Sequence, residues 1–386
     1  MGQCKCTGCE KDITRDVIYR NGRCPVLNNV VYDIQDEASR CKNGEIGLVE
    51  CDSCGLVFNV DFNVSDFDYD DNYESSREYS GVYNAYIDEV VGQLSSFIDK
   101  TWQILEIGCG QGEFLKKLCE KTGAKGKGYD NAYKGNSPGT GGVDIAKEYF
   151  APENEKQCFD AVILRHVLEH LGEPVSFLRR LTKSPAIKQG TLLIAEVPDL
   201  EWIMENGAYI DITYEHCNYF TKASLATMLA DLGFGIENVR NVYGGQYILL
   251  SAYYGRTGKD YEAGKGHLGR RQYDSARIDS ARVRDISFVR DSGKLSVWGA
   301  SGKGVVFLNN LPDEILKNIE YVIDINPNKQ EKYLPRVAKK IFSPDVLRGC
   351  VKKKILVMNG VYKSEIIRKL SEIGANADVI AWGELR

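Results

Sequence analysis

With 386 residues, 43% of them hydrophobic and 27% charged, the chain has the composition of a globular protein long enough for two or three domains. No apolar run approaches the roughly 18–20 residues of a membrane-spanning helix, and the start, Met-Gly-Gln-Cys-Lys-Cys, lacks the apolar stretch of a secretory signal, so a cytoplasmic protein with no membrane partner is expected. A net charge of −5 argues against nucleic acid as the main partner, and twelve cysteines in a reducing compartment point to metal or free thiols rather than disulfides.

The first elements are two Cys-x-x-Cys knuckles, Cys6-Thr-Gly-Cys9 and Cys51-Asp-Ser-Cys54. Two thiolates at this spacing converge on one ion, and two such pairs complete the tetrahedron of a structural Zn²⁺. The 41 residues between the pairs exceed the roughly 15–20 of a compact ribbon and contain strand-like text, 29–33 and 47–50, that can pair into a small sheet. Cys4, Cys24 and Cys41 are left over; one of them replacing a named ligand, or incidental thiols throughout, are the alternatives. Four cysteines leave no open position for a substrate, so the metal's role is structural. Residues 1–60 hold seven Lys/Arg against nine Asp/Glu, the wrong sign for a phosphate-tracking surface.

Residues 61–80 carry seven acids and one Arg among aromatics, the composition of a linker or lid, with Tyr69, Tyr73 and Tyr79 available to cover a substrate. Packing of a connecting helix is the alternative. A helix over 84–98 then leads into alternating elements: a strand ending at Ile107, helix 112–122, strand 125–130, strand 159–164, helix 173–182, strand 190–196, helix 222–232, and strands 235–241 and 246–252. This alternation predicts a doubly wound α/β sheet with ligands at the carboxyl ends of its strands.

The most informative stretch runs from Ile104 to Phe114, where an apolar strand with Glu106 enters the turn Gly108-x-Gly110-x-Gly112. Glycines let the backbone approach a ligand and start a helix, and Asp130, at the end of the next strand, is placed to accept hydrogen bonds from ribose hydroxyls. A purely structural corner remains the alternative, whereas Gly-x-Gly-x-x-Gly of dinucleotide sites does not fit. The Glu-x-Gly-x-Gly-x-Gly pattern followed by an acid resembles motif I of class I S-adenosylmethionine (SAM) methyltransferases. That resemblance implies cofactor contacts from Glu106, Gly108, Gly110, Gly112 and Asp130, from Arg165 at the end of the fourth strand, whose edge faces the transferred methyl group, and from the loop acid Asp144 beside the adenine.

Histidine is scarce: His166, His170, His216 and His267 are all there are. The first two flank the turn after strand 159–164 and the third lies in Tyr214-Glu215-His216-Cys217-Asn218-Tyr219-Phe220, both at the rim where the cofactor sits. Histidine is the natural base near neutral pH, which makes His216 the first candidate and His170 and His166 the next; helix capping or core packing is the competing role.

Farther on, Gly299-Ala-Ser-Gly302-Lys303-Gly304 follows a strand and precedes Asp324, with Gly304 twenty residues before Asp324 as Gly110 is before Asp130. A second Rossmann-like unit is expected, whose turn with Gly302 and Lys303 can hold a diphosphate at a helix N-terminus or serve packing alone. It lacks the pattern of a nucleotide-hydrolysing P-loop.

With its cysteine knuckles, SAM motif, Glu-His-x-x-Tyr-Phe segment and this tail, the chain resembles, over almost its full length, the three-domain C-methyltransferases of nucleotide-linked deoxysugars. The resemblance implies a class I methyltransferase Rossmann-like sheet (66–255) flanked by a small zinc-binding module (1–65) and a C-terminal Rossmann-like α/β domain (256–386). It also implies SAM and structural Zn²⁺ as cofactors, and a nucleotide-linked 4-keto sugar as substrate of a monomer or homodimer. In that family the last His of a Tyr-His-Glu-His-like string removes a proton beside the ketone and the SAM methyl traps the enolate. Carried over, His216 is the base, Glu215 and Tyr214 assist, and Tyr219 joins the substrate pocket. Here the string reads Thr213-Tyr214-Glu215-His216, and the usual Asn-x-x-Ala-His is His166-Val-Leu-Glu169-His170. An O- or N-methyltransferase using the same base, an RNA methyltransferase gripping its substrate through the zinc module, and a scaffold with a vestigial SAM fold are the alternatives. The acidic module and the intact glycine turn weigh against the last two.

Overall fold

A computed structural model describes residues 4–13, 16–67, 73–74, 76–135, 142–258, 273 and 275–385. Among them no helix is long and apolar enough to cross a membrane.

The central sheet has seven strands in the spatial order Phe234–Val242, Tyr247–Tyr254, Leu192–Pro198, Ala161–Arg165, Gln103–Ile107, Lys125–Tyr129, Val143–Ala146. From Leu192–Pro198 onward every pair is parallel, while Tyr247–Tyr254 runs antiparallel to both of its neighbours. Strands covered on both faces by helices read as continuous apolar runs, and Ile104, Leu105, Val162 and Leu164 are fully buried accordingly. The chain leaves Gln103–Ile107 in one direction and returns at Ala161–Arg165 on its other side. The resulting topological switch point opens a crevice at the carboxyl ends of these two strands.

Most elements of the expected alternation lie within a few residues of where the sequence puts them, and two of the differences have a plain physical reason. The helix expected over 84–98 spans Gly81–Leu94, three residues early, because the Ser80 hydroxyl caps it by accepting from the Tyr83 N–H. The edge strand Val143–Ala146 has no counterpart among the expected elements, since a four-residue edge strand gives almost no periodicity.

The amino-terminal module forms an antiparallel sheet in the order Asn218–Tyr219, Val57–Asn59, Asn43–Glu50, Tyr19–Pro25. Its edge strand therefore comes from the segment just after His216. The expected pairing of 29–33 with 47–50 does not form: both sides of Asn43–Glu50 are occupied, and 29–33 makes single bridges instead, Val30 with Tyr73 and Tyr32 with Tyr333.

Five parallel strands make the carboxy-terminal sheet, in the order Ile341–Phe342, Ile319–Ile323, Leu295–Trp298, Val351–Val357, Asn376–Ala381. Its first turn enters the helix Gly302–Asn310. A Cβ on Gly304 would lie 1.8 Å from the Gly299 carbonyl oxygen, so no side chain fits there. The central and carboxy-terminal sheets share one local device. Gly110 N–H donates to Asp130 Oδ2 at 2.8 Å, and Ala300 N–H donates to Asp324 Oδ2 at 2.8 Å. In each, the other carboxylate oxygen accepts from the N–H two residues on, Ala132 at 2.8 Å and Asn326 at 2.9 Å. Glu365 joins the units by capping the helix Gly81–Leu94, its carboxylate accepting from the Ser80 hydroxyl at 2.7 Å and the Gly81 N–H at 3.0 Å.

Candidate active site

A cavity of about 1530 Å³ is lined by Gly108, Gly110 and Asp130 of the central sheet and by Gly302, Lys303 and Asp324 of the carboxy-terminal one. A single small-molecule pocket is about 300–1000 Å³, so there is room here for more than one ligand. His166, His170, Glu215 and His216 line the same cavity.

On the central wall the glycine turn divides its labour. All three glycines have positive φ (69°, 58° and 79°). A Cβ on Gly112 would come within 2.1 Å of Ile145 Cδ1, and this glycine, which does not line the cavity, serves close packing of helix on strand. Around Gly110 a Cβ would meet nothing within 4 Å. That open face adjoins Asp130, whose carboxylate is already oriented by two backbone N–H groups. Glu106 is 2% exposed, and burial pushes its carboxyl up to about 8 against the opposing pull of Arg165. Its Oε2 has no hydrogen-bond partner among the described residues. Asp144 is corrected by the structure: it is no loop acid, but an exposed residue within Val143–Ala146 and outside the cavity, which Glu148, Tyr149 and Phe150 line from the loop after that strand.

Arg165 sits 4.2 Å over the Phe114 ring and pairs through Nη2 with Glu196 Oε1 at 3.1 Å. Glu196 also accepts from the Tyr86 hydroxyl at 2.6 Å and faces His166 Nε2 at 2.9 Å. Burial alone would raise the Glu196 carboxyl; Arg165 and His166 outweigh it and hold the group well below the usual range. Removing one partner from such a pair leaves a buried charge uncompensated, so Arg165→Leu should cost about 3–5 kcal/mol of unfolding free energy. Urea denaturation measures it, and a loss below about 1 kcal/mol, typical of a surface pair, would contradict the reading.

His166 has φ 55°, a conformation non-glycine residues keep only when their surroundings hold them. Its Nδ1 lies 3.2 Å from Glu169 Oε1 and its ring meets Tyr247 edge-on at 4.6 Å. Burial opposes protonation, but the two carboxylates raise its pKa above the ordinary value, which suits a cationic clamp better than a base. His170 and His216 meet edge to face, ring centroids 4.8 Å apart. Burial, then the neighbouring charges of His170, His166, Arg77 and Lys303, depress His216 well below its usual value, leaving a neutral imidazole able to accept a proton. Glu215 is 2% exposed; burial raises its carboxyl, whose Oε2 accepts from the Tyr73 hydroxyl at 2.8 Å and Oε1 from the Asn28 N–H.

Besides Gly112 and Asp144, two further expected site residues, Tyr214 and Tyr219, are not brought to the cavity. Tyr214 turns the other way: its hydroxyl donates to Asp66 Oδ2 at 2.6 Å, its ring stacks on Phe67, and only a glycine at position 44 leaves space for it. Tyr219 lies behind His216, its hydroxyl donating to the Thr213 carbonyl at 2.9 Å. Tyr73 and Tyr79 do line the cavity, and Tyr69 lies outside the described residues. Sequence reasoning missed Arg77, which lines the cavity with its guanidinium 5.4 Å over the Tyr83 ring and donating to the Tyr247 hydroxyl at 2.9 Å. As the one basic residue among seven acids in 61–80, it carried a signal. On the opposite wall Lys303 pairs with Asp211 and lies 5.2 Å over the Trp202 ring.

Away from the cavity, the thiol sulfurs of Cys6, Cys9, Cys51 and Cys54 all lie within 4.8 Å of one another, with Cys6–Cys54 at 3.5 Å and Cys9–Cys51 at 3.6 Å. A tetrahedral ion with 2.3 Å bonds to sulfur separates its ligands by about 3.8 Å. Backbone N–H groups of Gly8 and Ser53 already donate to Cys6 and Cys51. Cys4, Cys24 and Cys41 stand outside this group.

Comparison with known proteins matches residues 77–239 to a methyltransferase domain and residues 275–380 to a C-methyltransferase C-terminal domain. The C-methyltransferase NovU of Streptomyces niveus is 22% identical, over 96% of this chain and 93% of its own length. Among solved structures, magnesium protoporphyrin IX methyltransferase (ChlM) of Synechocystis PCC 6803 is 18% identical over 45% of this chain and 84% of its own, with a TM-score of 0.35. The PH0226 protein of Pyrococcus horikoshii OT3 is 17% identical over 48% of this chain and all of its own, with a TM-score of 0.37. Strand order, glycine turn and the two domain matches agree: the chain is a SAM-dependent methyltransferase of class I fold, whose methyltransferase domain is followed by a domain matching the C-methyltransferase C-terminal domain.

Proposed function

We propose that the protein methylates the carbon beside the ketone of a nucleotide-linked 4-keto deoxysugar, with His216 removing the proton. The observation that carries this reading is the single cavity lined by the Gly108–Gly110 turn, by His216 and by the second glycine turn with Lys303. The open face of Gly110, the oriented Asp130 carboxylate and the partnerless Oε2 of Glu106 fit SAM on the central wall. When bound, SAM supplies an electrophilic methyl group to a carbon nucleophile. His216, neutral by burial and by its cationic neighbours, accepts the proton of the carbon acid, and the cations Arg77 and Lys303 suit a diphosphate. Glu215, tied to the Tyr73 hydroxyl, holds that ring at the cavity wall. Cys6, Cys9, Cys51 and Cys54 hold a structural Zn²⁺ that takes no part in the chemistry.

Incubation with SAM and a panel of nucleotide-linked sugars, keto and non-keto, tests the assignment. A gain of one methyl, on carbon by NMR and confined to the keto sugars, is expected. Methyl on oxygen or nitrogen would replace this reading with an O- or N-methyltransferase using the same base. For the cofactor half, Asp130→Ala should weaken SAM binding by about 10–100-fold, because a hydrogen bond to a charged group contributes about 1.5–3 kcal/mol. Calorimetric titration reads this directly, and an unchanged Kd would remove Asp130 from the cofactor site.

A further inference from the structure

Glu169 is completely buried beside His170, and one of its carboxylate oxygens, one ring nitrogen of His170 and one of His216 lie within 4.8 Å of one another. Only Oε1 of Glu169 is engaged, with His166. Its Oε2, Nδ1 of His170 and Nδ1 of His216 are buried without a hydrogen-bond partner among the described residues. Three orphaned polar atoms on three neighbouring side chains are rare in a folded protein and call for an occupant. A substrate in the cavity reaches the histidines but not the wholly buried Glu169, whereas one ion among the three satisfies all of them. Two imidazoles and a carboxylate are the donor set of divalent transition metals, not of calcium or magnesium.

We propose that Glu169, His170 and His216 bind one divalent transition-metal ion reversibly, and that the bound ion switches the enzyme off by taking the His216 lone pair. The switching half rests on the reading of His216 as the base. Tetrahedral zinc donors with bonds of about 2.1 Å lie about 3.4 Å apart, so a pair as far apart as 4.8 Å closes by about 1.4 Å on binding, a movement the side chains must supply.

The experiment uses the zinc-loaded enzyme, titrated with Co²⁺ and followed by visible absorption. In parallel, hydrogen–deuterium exchange at the carbon beside the ketone of a nucleotide-linked keto-sugar is recorded with S-adenosylhomocysteine present. One further Co²⁺ per chain is expected, with weak d–d bands and no intense thiolate charge-transfer band, and exchange should fall as the site fills. Loss of an outer-shell partner alone weakens metal binding about 10–100-fold, so Glu169→Gln and His170→Asn should each weaken Co²⁺ by at least tenfold; SAM affinity reports whether each variant is folded. No Co²⁺ beyond the cysteine site, or affinity untouched in both folded variants, overturns the metal site and leaves His216 as base unaffected. Co²⁺ bound with undiminished exchange overturns the switch and counts against His216 as the base, while faster exchange with Co²⁺ overturns inhibition.

Discussion

Replacing Cys51 with serine should unfold the amino-terminal module and lower the melting temperature of the whole chain. Structural zinc in small finger peptides contributes about 10–16 kcal/mol to the folded state, as much as the entire stability of a typical domain, about 5–15 kcal/mol. The cysteine end of the module has little else to hold it: its own strand pair comprises only Cys4–Lys5 and Asp12–Ile13. The damage should spread, because Cys6, Cys51 and Cys54 pack in one apolar cluster with Phe220 and Leu225 of the central unit. Val57–Asn59 also pairs with Asn218–Tyr219, two residues beyond His216. The measurement is zinc content by mass spectrometry beside a thermal melt of wild type, Cys51→Ser and wild type stripped by chelator. A Cys51→Ser chain that melts with wild type would show that the four thiols hold nothing of structural consequence.

What the sequence disclosed and what it hid follow from the range of the interactions involved. The glycine turn, hydrogen-bonded to Asp130, was legible because a strand–turn–helix is written in contiguous residues, and the repeat at Gly304 and Asp324 was legible for the same reason. Asn218–Tyr219 was hidden: two residues cannot show strand periodicity, and their partner lies about 160 positions upstream. Tyr214 was misread because spacing along a motif says nothing of which side of the chain a ring takes; Gly44 and Asp66, both distant in sequence, decide it. Nothing in the sequence marked Glu169 as buried, and only the fold places it between His166 and the His170–His216 pair. Asp144 fell inside a strand too short to be recognised.

His216→Asn should lower the rate of deuterium washout from the carbon beside the ketone by about 10²–10⁴-fold, the usual contribution of a positioned general base, with SAM affinity retained. Asparagine keeps a polar group near the size of the imidazole but cannot accept the proton, and His216 touches neither Gly110 nor Asp130 in any hydrogen bond of the described residues, so the cofactor wall is spared. Washout is the decisive reading because it reports deprotonation without methyl transfer. The three histidines should also separate by symptom. His166 is bracketed by Glu169 and Glu196 and acts on the fold, so His166→Asn should show first as lost stability. His170 offers its ring to His216 across 4.8 Å and should alter the rate less than His216 itself. If His216→Asn kept its washout while His170→Asn lost it, the proton would go to the other member of the pair. The electrostatics argue for the order given: it is His216 whose burial and cationic neighbours keep it uncharged and ready to receive.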